Sequence, residues 1–544
     1  MAASEVDREM VPGTIYLVDV AGDMDHDGNR QVVLNPRPSA DPEDPLNWSR
    51  PRKLLAISMV YVYVVAIGIA TAVQYSVLTP ISDETGISIS DLNLGTGLMF
   101  LFLGWSCLIW QPIALAYGRR GVYITSCILA IGPMIWTAYS HSSHVWYAHR
   151  ILLGICSAPV ESLPEISVPD LFFAHERGTF MGYYAFLLFG SNFLAPFFAG
   201  FINNGVGWRW VMYFGALWLA GSAVILFFFM EDTIYFRQAE ALGTVERAAS
   251  ELHTPDCVTE TSDKKAADLD VGTCVLDTQV DPAFLAPLNY VQKLSLFRLL
   301  PGRPTPRKIL KEFLNPLKII LFFPSVFWAG LLYGTNLSWY NVLNATTSSI
   351  LSSAPYNFSS SMVGVAYLSP FVGAGLASLW SGLVADKLML RLARRNNGVR
   401  EPEQRLWPLL FSGLMASAGL ILWGVGAAKN IHYMGLIVGL GILTFGVVCG
   451  GSISLSYSID CFKEISGESM VSVIIIRNSL GFGFSYAINP WINRSGLQNC
   501  FIAVSMVALA CTGSFLLMVL FGKKLRKLSA PIYWKMVENG SRAH

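Results

Sequence analysis

The chain has 544 residues, of which 53% are hydrophobic and 14% are charged, and its formal net charge is +1. A soluble protein is expected to carry about a quarter charged residues, so this composition excludes a chain whose whole surface faces water. Much of the surface must face lipid instead. The near-zero net charge gives no reason to propose a nucleic-acid partner.

The polar N-terminal segment, 1–52, contains no apolar core, so we expect a cytoplasmic tail that is mostly disordered and no cleavable signal peptide. Twelve apolar stretches, each long enough to cross about 30 Å of hydrocarbon, follow in two groups of six. Spans 1 to 6 cover roughly 53–77, 91–111, 120–140, 146–166, 179–201 and 208–230. Spans 7 to 12 cover roughly 316–341, 361–384, 407–427, 432–457, 469–491 and 498–521.

A polar segment separates the two groups and is predicted to be a cytoplasmic linker with a disordered centre. The predicted organisation is a tail, an N-terminal bundle, a linker, a C-terminal bundle and a second cytoplasmic tail, at 1–52, 53–230, 231–315, 316–522 and 523–544. The chain has no Gly-x-x-x-x-Gly-Lys-Ser/Thr motif for a nucleotide and no nucleophile–base or metal constellation. We therefore expect neither an enzyme nor a bound cofactor or metal.

Lysine and arginine are distributed unequally between the two sides of the predicted membrane. With a cytoplasmic N-terminus, the short cytoplasmic segments hold seventeen of these residues, and the opposite segments hold three, Arg209, Lys429 and Arg494. This asymmetry predicts that both termini and the linker lie in the cytoplasm. We expect the plasma membrane, with the vacuolar membrane as the alternative. Three glycosylation sequons then fall in predicted outer loops, at Asn344, Asn357 and Asn493.

The loops after span 2 and span 8 indicate that the two halves are internal repeats. The loop after span 8 contains a Gly-x-x-x-Asp-Lys sequence, formed by Gly382, Asp386 and Lys387. The loop after span 2 keeps two basic residues but has leucine in place of the acid, at Leu115, Arg119 and Arg120. The number of residues from Leu115 to the equivalent acid, Asp386, is close to the number from the start of span 1 to the start of span 7.

These loops resemble the signature of the major facilitator superfamily, and the resemblance covers nearly the whole chain outside the tail and the middle of the linker. It implies an all-α membrane protein with twelve transmembrane helices in two pseudo-symmetric six-helix bundles. It also implies that the charged loop residues act as a latch during conformational change. The N-terminal latch is weakened here because Leu115 replaces the acid.

Further motifs are similar to a fungal branch of twelve-span drug:proton antiporter relatives, which includes histidinol and polyamine transporters and efflux carriers. They are Asp41–Trp48, Phe173–Gly178 and the sequence that begins at Ile476. Arg150–Gly154 looks like the superfamily's fourth-helix motif, whose arginine is linked to proton coupling. Span 5 resembles the antiporter signature in degenerate form, through Gly182, Ser191, Ala195, Pro196, Ala199 and Gly200. The resemblance therefore implies a proton antiporter.

Span 4 carries three ionisable residues, Arg150, Glu161 and Glu165. At about 100° per residue Arg150 and Glu161 lie about 20° apart, and Glu165 follows Glu161 by one turn. Ionisable groups within hydrocarbon are functional candidates by default. Because adjacent carboxylates repel each other when both are ionised, one of them is a candidate to take up and release a proton. Alternatively, Glu165 is a solvated residue at the cytoplasmic boundary.

Span 7 places Tyr333, Asn336 and Tyr340 on one face, where they are candidates to line a cavity for an organic cation or planar drug. The alternative is an aromatic belt at the outer interface. Gln74 and Asn192 are lesser candidates for the same cavity, or residues that bridge helices. In the C-terminal half, Arg477 lies well inside span 11 and requires an acidic partner.

Asp460, at the inner end of span 10, is the partner that is closest to Arg477 in sequence. A structural salt bridge and a role in gating are equally compatible with that pair. Pro196 frees a backbone carbonyl in span 5 and is a candidate for conformational change.

Together these features favour a monomeric, proton-coupled exporter of a small organic compound such as a drug, polyamine or secondary metabolite. Its partners are then the solute, protons and the lipid bilayer. Uptake of a cationic nutrient by the same fold is the alternative within transport. A non-transporting membrane sensor is the alternative of another class.

Overall fold

The computed structural model of the protein describes residues 11–16, 26–27, 30–33, 43–235, 294–297, 313–396 and 399–538. The predicted disordered centre of the linker and the last residues of the chain lie outside this part. Within it the chain is almost entirely helical. Four short strands are β1 Ile15–Tyr16, β2 His26–Asp27, β3 Arg30–Val33 and β4 Val399–Arg400.

Eight helices form the N-terminal half. They are α1 Arg50–Ala72, α2 Leu78–Thr85, α3 Ile89–Tyr117, α4 Arg119–Thr137, α5 Ser143–Ser157, α6 Pro159–Leu171, α7 Ala174–Val206 and α8 Trp208–Phe229. A 3₁₀ segment, Val73–Ser76, extends α1. The proline at the first position of α6 lacks an N–H group, so the hydrogen-bond pattern of span 4 is interrupted between α5 and α6, as its prolines predict. The two helices still form one apolar stretch, Ser143–Leu171.

Nine helices form the C-terminal half. They are α9 Asn315–Phe322, α10 Pro324–Ser352, α11 Ser360–Ala366, α12 Leu368–Leu379, α13 Ala385–Arg395, α14 Leu409–Ala428, α15 Tyr433–Cys461, α16 Ser466–Gly513 and α17 Phe515–Glu538. A π-helical turn, Trp380–Val384, joins α12 to α13. Between α9 and α10 the chain bends by 96°.

Helices occupy all twelve predicted span positions. Among the described residues, nine helical stretches are long and apolar enough to cross a membrane, or ten if the bent pair α9–α10 is one span. One of the nine, Lys463–Val537, is 75 residues long and contains spans 11 and 12. Its helices meet at Gly496, whose φ of 74° and ψ of 158° are not helical. The helix at span 3, α4, is not among the nine.

The two halves pack against each other along two lateral seams. In one seam α3 of the N-terminal half runs beside α16 of the C-terminal half, and in the other α7 runs beside α11 and α12. We call the end of the bundle that holds residues 43–49, 230–235 and 294–297 the linker end. The opposite end is the far end. All site residues lie between these ends.

Part of the N-terminal tail has defined partners, in contrast to the disorder expected there. Arg526 donates hydrogen bonds to the Pro12 carbonyl oxygen and, at 2.9 and 2.7 Å, to the Glu403 carboxylate. Strand β1 pairs with β4 in the antiparallel sense. Residues 11–16 therefore dock on the linker end of the C-terminal half, although they precede the N-terminal half in sequence.

The three sequons have different surroundings. Asn344 lies inside α10 and is 1% exposed, so its assignment to an outer loop was wrong. Its position in a continuous helix that packs on both sides explains the difference. Asn357 is exposed in the loop after α10, and Asn493 is exposed just before Gly496.

Candidate substrate and proton site

One buried ion pair joins the two halves near the middle of the bundle. Arg477 on α16 donates a hydrogen bond from Nη2 to Glu161 Oε2 on α6. Both side chains are buried, and the guanidinium also lies over the Tyr333 ring, 4.7 Å from its centroid. A buried ion pair of this kind is strongly destabilised when one partner loses its charge. It therefore makes the contact between the halves dependent on the charge of Glu161.

Asp460 is not the partner of Arg477, which corrects the expectation based on their separation in sequence. The Asp460 carboxylate instead forms ion pairs with Arg400, at 3.3 Å, and Arg405, at 3.2 Å. These three residues belong to the linker end of the C-terminal half. Arg477 lies about three turns inside α16, where Glu161 is the acid that it reaches.

A second carboxylate lies one helical turn from this pair. Glu165 on α6 is 7% exposed, so it is not a solvated residue at the membrane boundary. Its Oε2 atom has no hydrogen-bond partner among the described residues. Nearby, Tyr184 of α7 donates its hydroxyl hydrogen bond to the Val160 carbonyl oxygen, at 3.1 Å. The site thus holds two carboxylates against one guanidinium, and one carboxylate oxygen is available to a ligand or a proton.

Arg150 does not join this cluster, although it shares a predicted stripe with Glu161. Eleven residues at a rise of 1.5 Å place the two residues about 16 Å apart along the span, so they share a face but not a site. Arg150 is fully buried, donates from Nη1 to Gln74 Oε1 at 3.2 Å, and lies over the Trp146 ring at 4.6 Å. Among the described residues no carboxylate lies within ion-pair distance of it. Arg150 and Gln74 form a separate polar layer nearer the far end.

The predicted aromatic face of α10 is buried rather than exposed as an interfacial belt. Tyr333 contacts Arg477, as described above. Tyr340 packs edge-on against Tyr75 at 6.3 Å and Phe193 at 5.5 Å between ring centroids, so it contacts the N-terminal half. These contacts place aromatic rings of both halves along the same interior.

Two amide residues that were predicted to line the cavity have other surroundings. Asn336 bonds to the Leu332 carbonyl oxygen of its own helix at 2.8 Å and lies directly against Gly450 of α15. Asn192 likewise donates to the Leu188 carbonyl oxygen of its own helix, at 2.7 Å. Asn336 therefore fills space within the C-terminal half.

A small polar cavity lies on the far-end side of the aromatic rings. Its volume of about 10 Å³ suits roughly one water molecule. It is lined by Tyr75, Asn93, Thr96, Asn341, Asn344, Ala345 and Ser485, which come from both halves. The spacing in the sequence places Asn344 on the same face as Tyr333, about 20° away around the helix. It was nevertheless assigned to the outer interface, and its burial shows that this face stays interior along α10.

The halves are closed at the far end by neutral hydrogen bonds. Thr79 and Ser348 hydroxyls are 3.0 Å apart, and Asn93 donates to the Ala345 carbonyl oxygen at 3.3 Å. On the other seam, Asn203 donates to the Ser360 hydroxyl at 3.0 Å. A Cβ atom placed on Gly364 would lie only 2.9 Å from the Pro196 carbonyl oxygen, so these backbones are in direct contact.

Toward the linker end the backbone contact along this seam becomes looser. Gly182 and Gly200 lie about five helical turns apart on α7, and this spacing places them on the same helix face. A Cβ on Gly200 would collide with the Ser360 backbone, whereas one on Gly182 would meet nothing within 4 Å. Gly382, which lies nearer the linker end than Gly364, is equally open. The contact across this seam is therefore looser toward the linker end, although α7 still approaches α12 and the turn Trp380–Val384.

Comparison with known proteins assigns the family. The family model described as the Major Facilitator Superfamily matches residues 60–483. The chain belongs to the major facilitator superfamily. It is 28% identical to the protein HOL1 of Saccharomyces cerevisiae over 91% of this chain and 90% of that protein. It is 23% identical to the probable efflux pump mfs2 of Aspergillus flavus over 79% of this chain and 93% of that one.

Solved structures of the superfamily share this fold. A POT family transporter in complex with 5-aminolevulinic acid superimposes with a TM-score of 0.56 and 14% sequence identity, over 88% of this chain and 97% of that chain. At this identity the likeness shows the fold alone.

The superfamily's signature loops engage their own halves here. Arg119 forms an ion pair with Asp170 and donates its backbone N–H to Asp232 at 3.1 Å. Arg120 donates to the carbonyl oxygens of Met230, at 2.7 Å, and Ser295, at 2.8 Å. The N-terminal loop of this superfamily member therefore holds together α4, α6, the end of α8 and the described piece of the linker.

The C-terminal signature loop is more open. Gly382 lies in the π-helical turn Trp380–Val384, and the Lys387 side chain is exposed. The side chain of Asp386 lies outside the described part of the chain. A latch role for these residues remains a prediction.

Proposed function

We propose that this superfamily member exports a small organic compound in exchange for protons, by alternating access of the central site to the linker end and the far end. The observation that carries the proposal is the Glu161–Arg477 pair across the halves, next to the buried and incompletely satisfied Glu165. Ionisable groups in such a position typically mark a solute or proton pathway.

The proposed exchange begins with the linker end open. A solute then enters between α7 and α12–α13, where the contact is looser, and reaches Glu165. Protons then bind the carboxylates of Glu161 and Glu165 only when the solute has left, because both compete for the same charge. Protonation of Glu161 removes the negative charge that binds Arg477, so the contact between the halves weakens. The bundle can then close at one end and open at the other.

The charges and rings favour an amine or another organic cation as the solute. Two carboxylates face one guanidinium, and the aromatic rings of Tyr333, Tyr340 and Tyr75 surround the same interior. Aromatic faces and carboxylates together suit organic ammonium groups. The description of the Aspergillus flavus relative as a probable efflux pump supports export rather than uptake.

We further propose that the linker end faces the cytoplasm and that the protein resides in the plasma membrane. The excess of lysine and arginine in short segments at that end supports this orientation. A fluorescent protein fused at either terminus is expected to be protected from an external protease in intact cells. Cleavage of a terminal fusion from outside would contradict the orientation.

Transport assays in proteoliposomes test the proposed coupling. With an imposed pH gradient, radiolabelled spermidine and the dye cation ethidium are suitable probes of the two solute types. We expect wild-type protein to drive flux of at least one probe and Glu161→Gln to abolish gradient-driven flux, because the neutral side chain cannot exchange a proton. Glu165→Gln is expected to lower the apparent affinity for the transported probe.

Glu84→Gln is the matched control, since this glutamate is exposed in α2 and pairs with Arg209 at the far end. It is expected to transport at the wild-type rate. Normal gradient-driven flux through Glu161→Gln would refute the proton role of Glu161. If cells that express the protein accumulate the probe instead of losing it, the proposal of export is wrong and uptake of a cationic nutrient is the better interpretation.

A further inference from the structure

The last helix of the chain presents one continuous outer face that changes from apolar to basic. Side chains on this face of α17 recur every three or four positions and lie within about 40° of the middle of the face. They are Leu517, Phe521, Lys524, Leu528, Pro531 and Lys535, and all are exposed. The opposite face is buried against the protein through Arg526, Ser529 and Tyr533. The outer face therefore continues the lipid-facing surface beyond the end of span 12.

Helix α9 adds a second apolar surface beside this face. The bend of 96° between α9 and α10 lays α9 across the bundle axis at the linker end. Ser529 of α17 donates a hydrogen bond to the Phe322 carbonyl oxygen at 3.2 Å, which fixes the two helices together. Leu321 and Phe322 are 76% and 54% exposed, and Leu528 is 71% exposed. Such large exposed apolar side chains grouped on two adjoining helices indicate contact with a nonaqueous partner.

The charges of this surface are mostly positive. Residues 515–537 and α9 contain no aspartate or glutamate, and the first acid of α17 is its last residue, Glu538. Lys318, Lys524, Lys527 and Lys535 are exposed, and no ion pair with a described residue involves any of the four. Lys523, one residue earlier, is different because it pairs with Glu401 at 2.6 Å. The four lysines thus present uncompensated positive charge among exposed leucine, isoleucine and phenylalanine side chains.

We propose that α9 and the end of α17 form a docking surface for anionic phospholipids of the membrane leaflet at the linker end. The apolar side chains enter the boundary between head groups and acyl chains, as amphipathic interfacial helices do. Lys524 and Lys535 lie on the outer face of α17, Lys527 lies about 80° from its middle, and Lys318 lies on α9. In the proposal these lysines bind the lipid phosphates. The surface fits a lipid rather than a soluble anion because its cations alternate with apolar side chains that a soluble anion would leave exposed.

The expected strength follows from the number of lysines. Each lysine near an anionic membrane surface contributes about fivefold to binding. Loss of three lysines is therefore expected to weaken binding of an anionic lipid by roughly a hundredfold at low salt. Because the interaction is electrostatic, added salt is expected to reduce the difference.

Native mass spectrometry of the full-length protein tests the surface. The protein is titrated with palmitoyl-oleoyl phosphatidylserine or the matching phosphatidylcholine, and retained lipid is counted. We expect preferential retention of phosphatidylserine by the wild type and its loss in the triple variant Lys524→Gln/Lys527→Gln/Lys535→Gln. Lys429→Gln, exposed at the far end, is the control for a changed net charge and is expected to retain the lipid.

Two further measurements separate the alternatives. The thermal unfolding of the triple variant in detergent is expected to match the wild type, because the substituted side chains are exposed. Soluble glycerophosphoserine is expected not to compete with the lipid, and effective competition would identify a free-anion site instead. Equal retention of phosphatidylserine by the triple variant and the wild type, or equal retention of both lipids by the wild type, would overturn the proposal.

Discussion

The two ends of the seam between α7 and α11–α13 differ in how they hold the halves together. At the far end the backbones touch, and the polar contacts between the halves are neutral, such as that between Asn203 and Ser360. Toward the linker end the backbone contact is looser, and the charged groups pair within their own half. Arg526 with Glu403 and Arg119 with Asp170 are examples.

This difference shows that a bundle with two states can use neutral contacts between its halves and charged contacts within each half. Neutral hydrogen bonds are individually weak and exchange readily with water, so the far end can open without exposing unpaired charge. Charged networks rigidify each half and move with it. Among the ion pairs that the structure describes, Glu161–Arg477 is the one that joins the halves, and it lies between the two ends. A change in the charge of Glu161 or Arg477 can therefore alter how the two halves are held together.

The strongest test of this comparison removes a buried charge from within the C-terminal half. Arg526→Met leaves Glu403 buried without its partner, which is expected to cost about 3–5 kcal/mol of unfolding free energy. Thermal unfolding in detergent measures the loss. Lys523→Gln is the control, since its pair with Glu401 is more exposed and should contribute less than about 1 kcal/mol. Equal unfolding temperatures for the two variants would show that the buried pair does not rigidify this half.

The close backbone contact at the far end gives the next largest effect. Gly200→Ala adds a Cβ that collides with the Ser360 backbone, and overpacking of this kind costs about 1–3 kcal/mol. We expect slower transport and lower thermal stability, because the far end no longer closes fully. Gly182→Ala, on the same face of the same helix, has open space and should leave stability unchanged. If both alanine variants lower the unfolding temperature equally, the seam is packed as tightly at Gly182 as at Gly200.

The docked tail gives a smaller, local effect. Gly13 has a φ of +83°, and a Cβ there would lie 2.5 Å from the Asp460 carbonyl oxygen. Gly13→Ala is expected to release residues 11–16, which amide hydrogen exchange or limited proteolysis will detect as faster exchange or cleavage.

Gly86→Ala is the control for backbone strain alone. Gly86 has a similar φ of +71°, but its added Cβ would meet nothing within 4 Å. Left-handed strain in each case is worth roughly 1–2 kcal/mol. Unchanged exchange of residues 11–16 in Gly13→Ala would contradict the docking of the tail.

The smallest effect concerns an exposed ion pair at the far end. The Arg209 guanidinium and the Trp208 indole hold the pKa of Glu84 below its usual value. The ionised pair therefore stabilises the fold above about pH 4.5 and loses that contribution as the pH falls through the lowered value. Glu84→Gln should lower the unfolding temperature slightly at pH 7, through a loss of less than about 1 kcal/mol, and the difference should shrink as the solution is acidified. A pH-independent difference would contradict this assignment.

Local patterns in the sequence predicted most of the fold. Apolar length and loop chemistry located helices at all twelve positions, and the signature loops indicated the family that the comparison confirmed. The same local reasoning selected Glu161, Glu165 and Arg477 as charged groups within the bundle. These predictions succeed because hydrophobic length and the cost of burying a charge depend on residues that are near one another in the chain.

The tertiary structure decided which of these groups meet. Arg477 pairs with Glu161, 316 residues away, whereas proximity in sequence favoured Asp460. Arg150 contacts Gln74 rather than the Glu161 pair, because it lies about three helical turns closer to the far end of the same span. Asn344 turns inward although its sequon suggested an exposed loop. The sequence alone determined where the helices run and which residues carry charge, but partners depend on the packing of distant helices, which no local periodicity encodes.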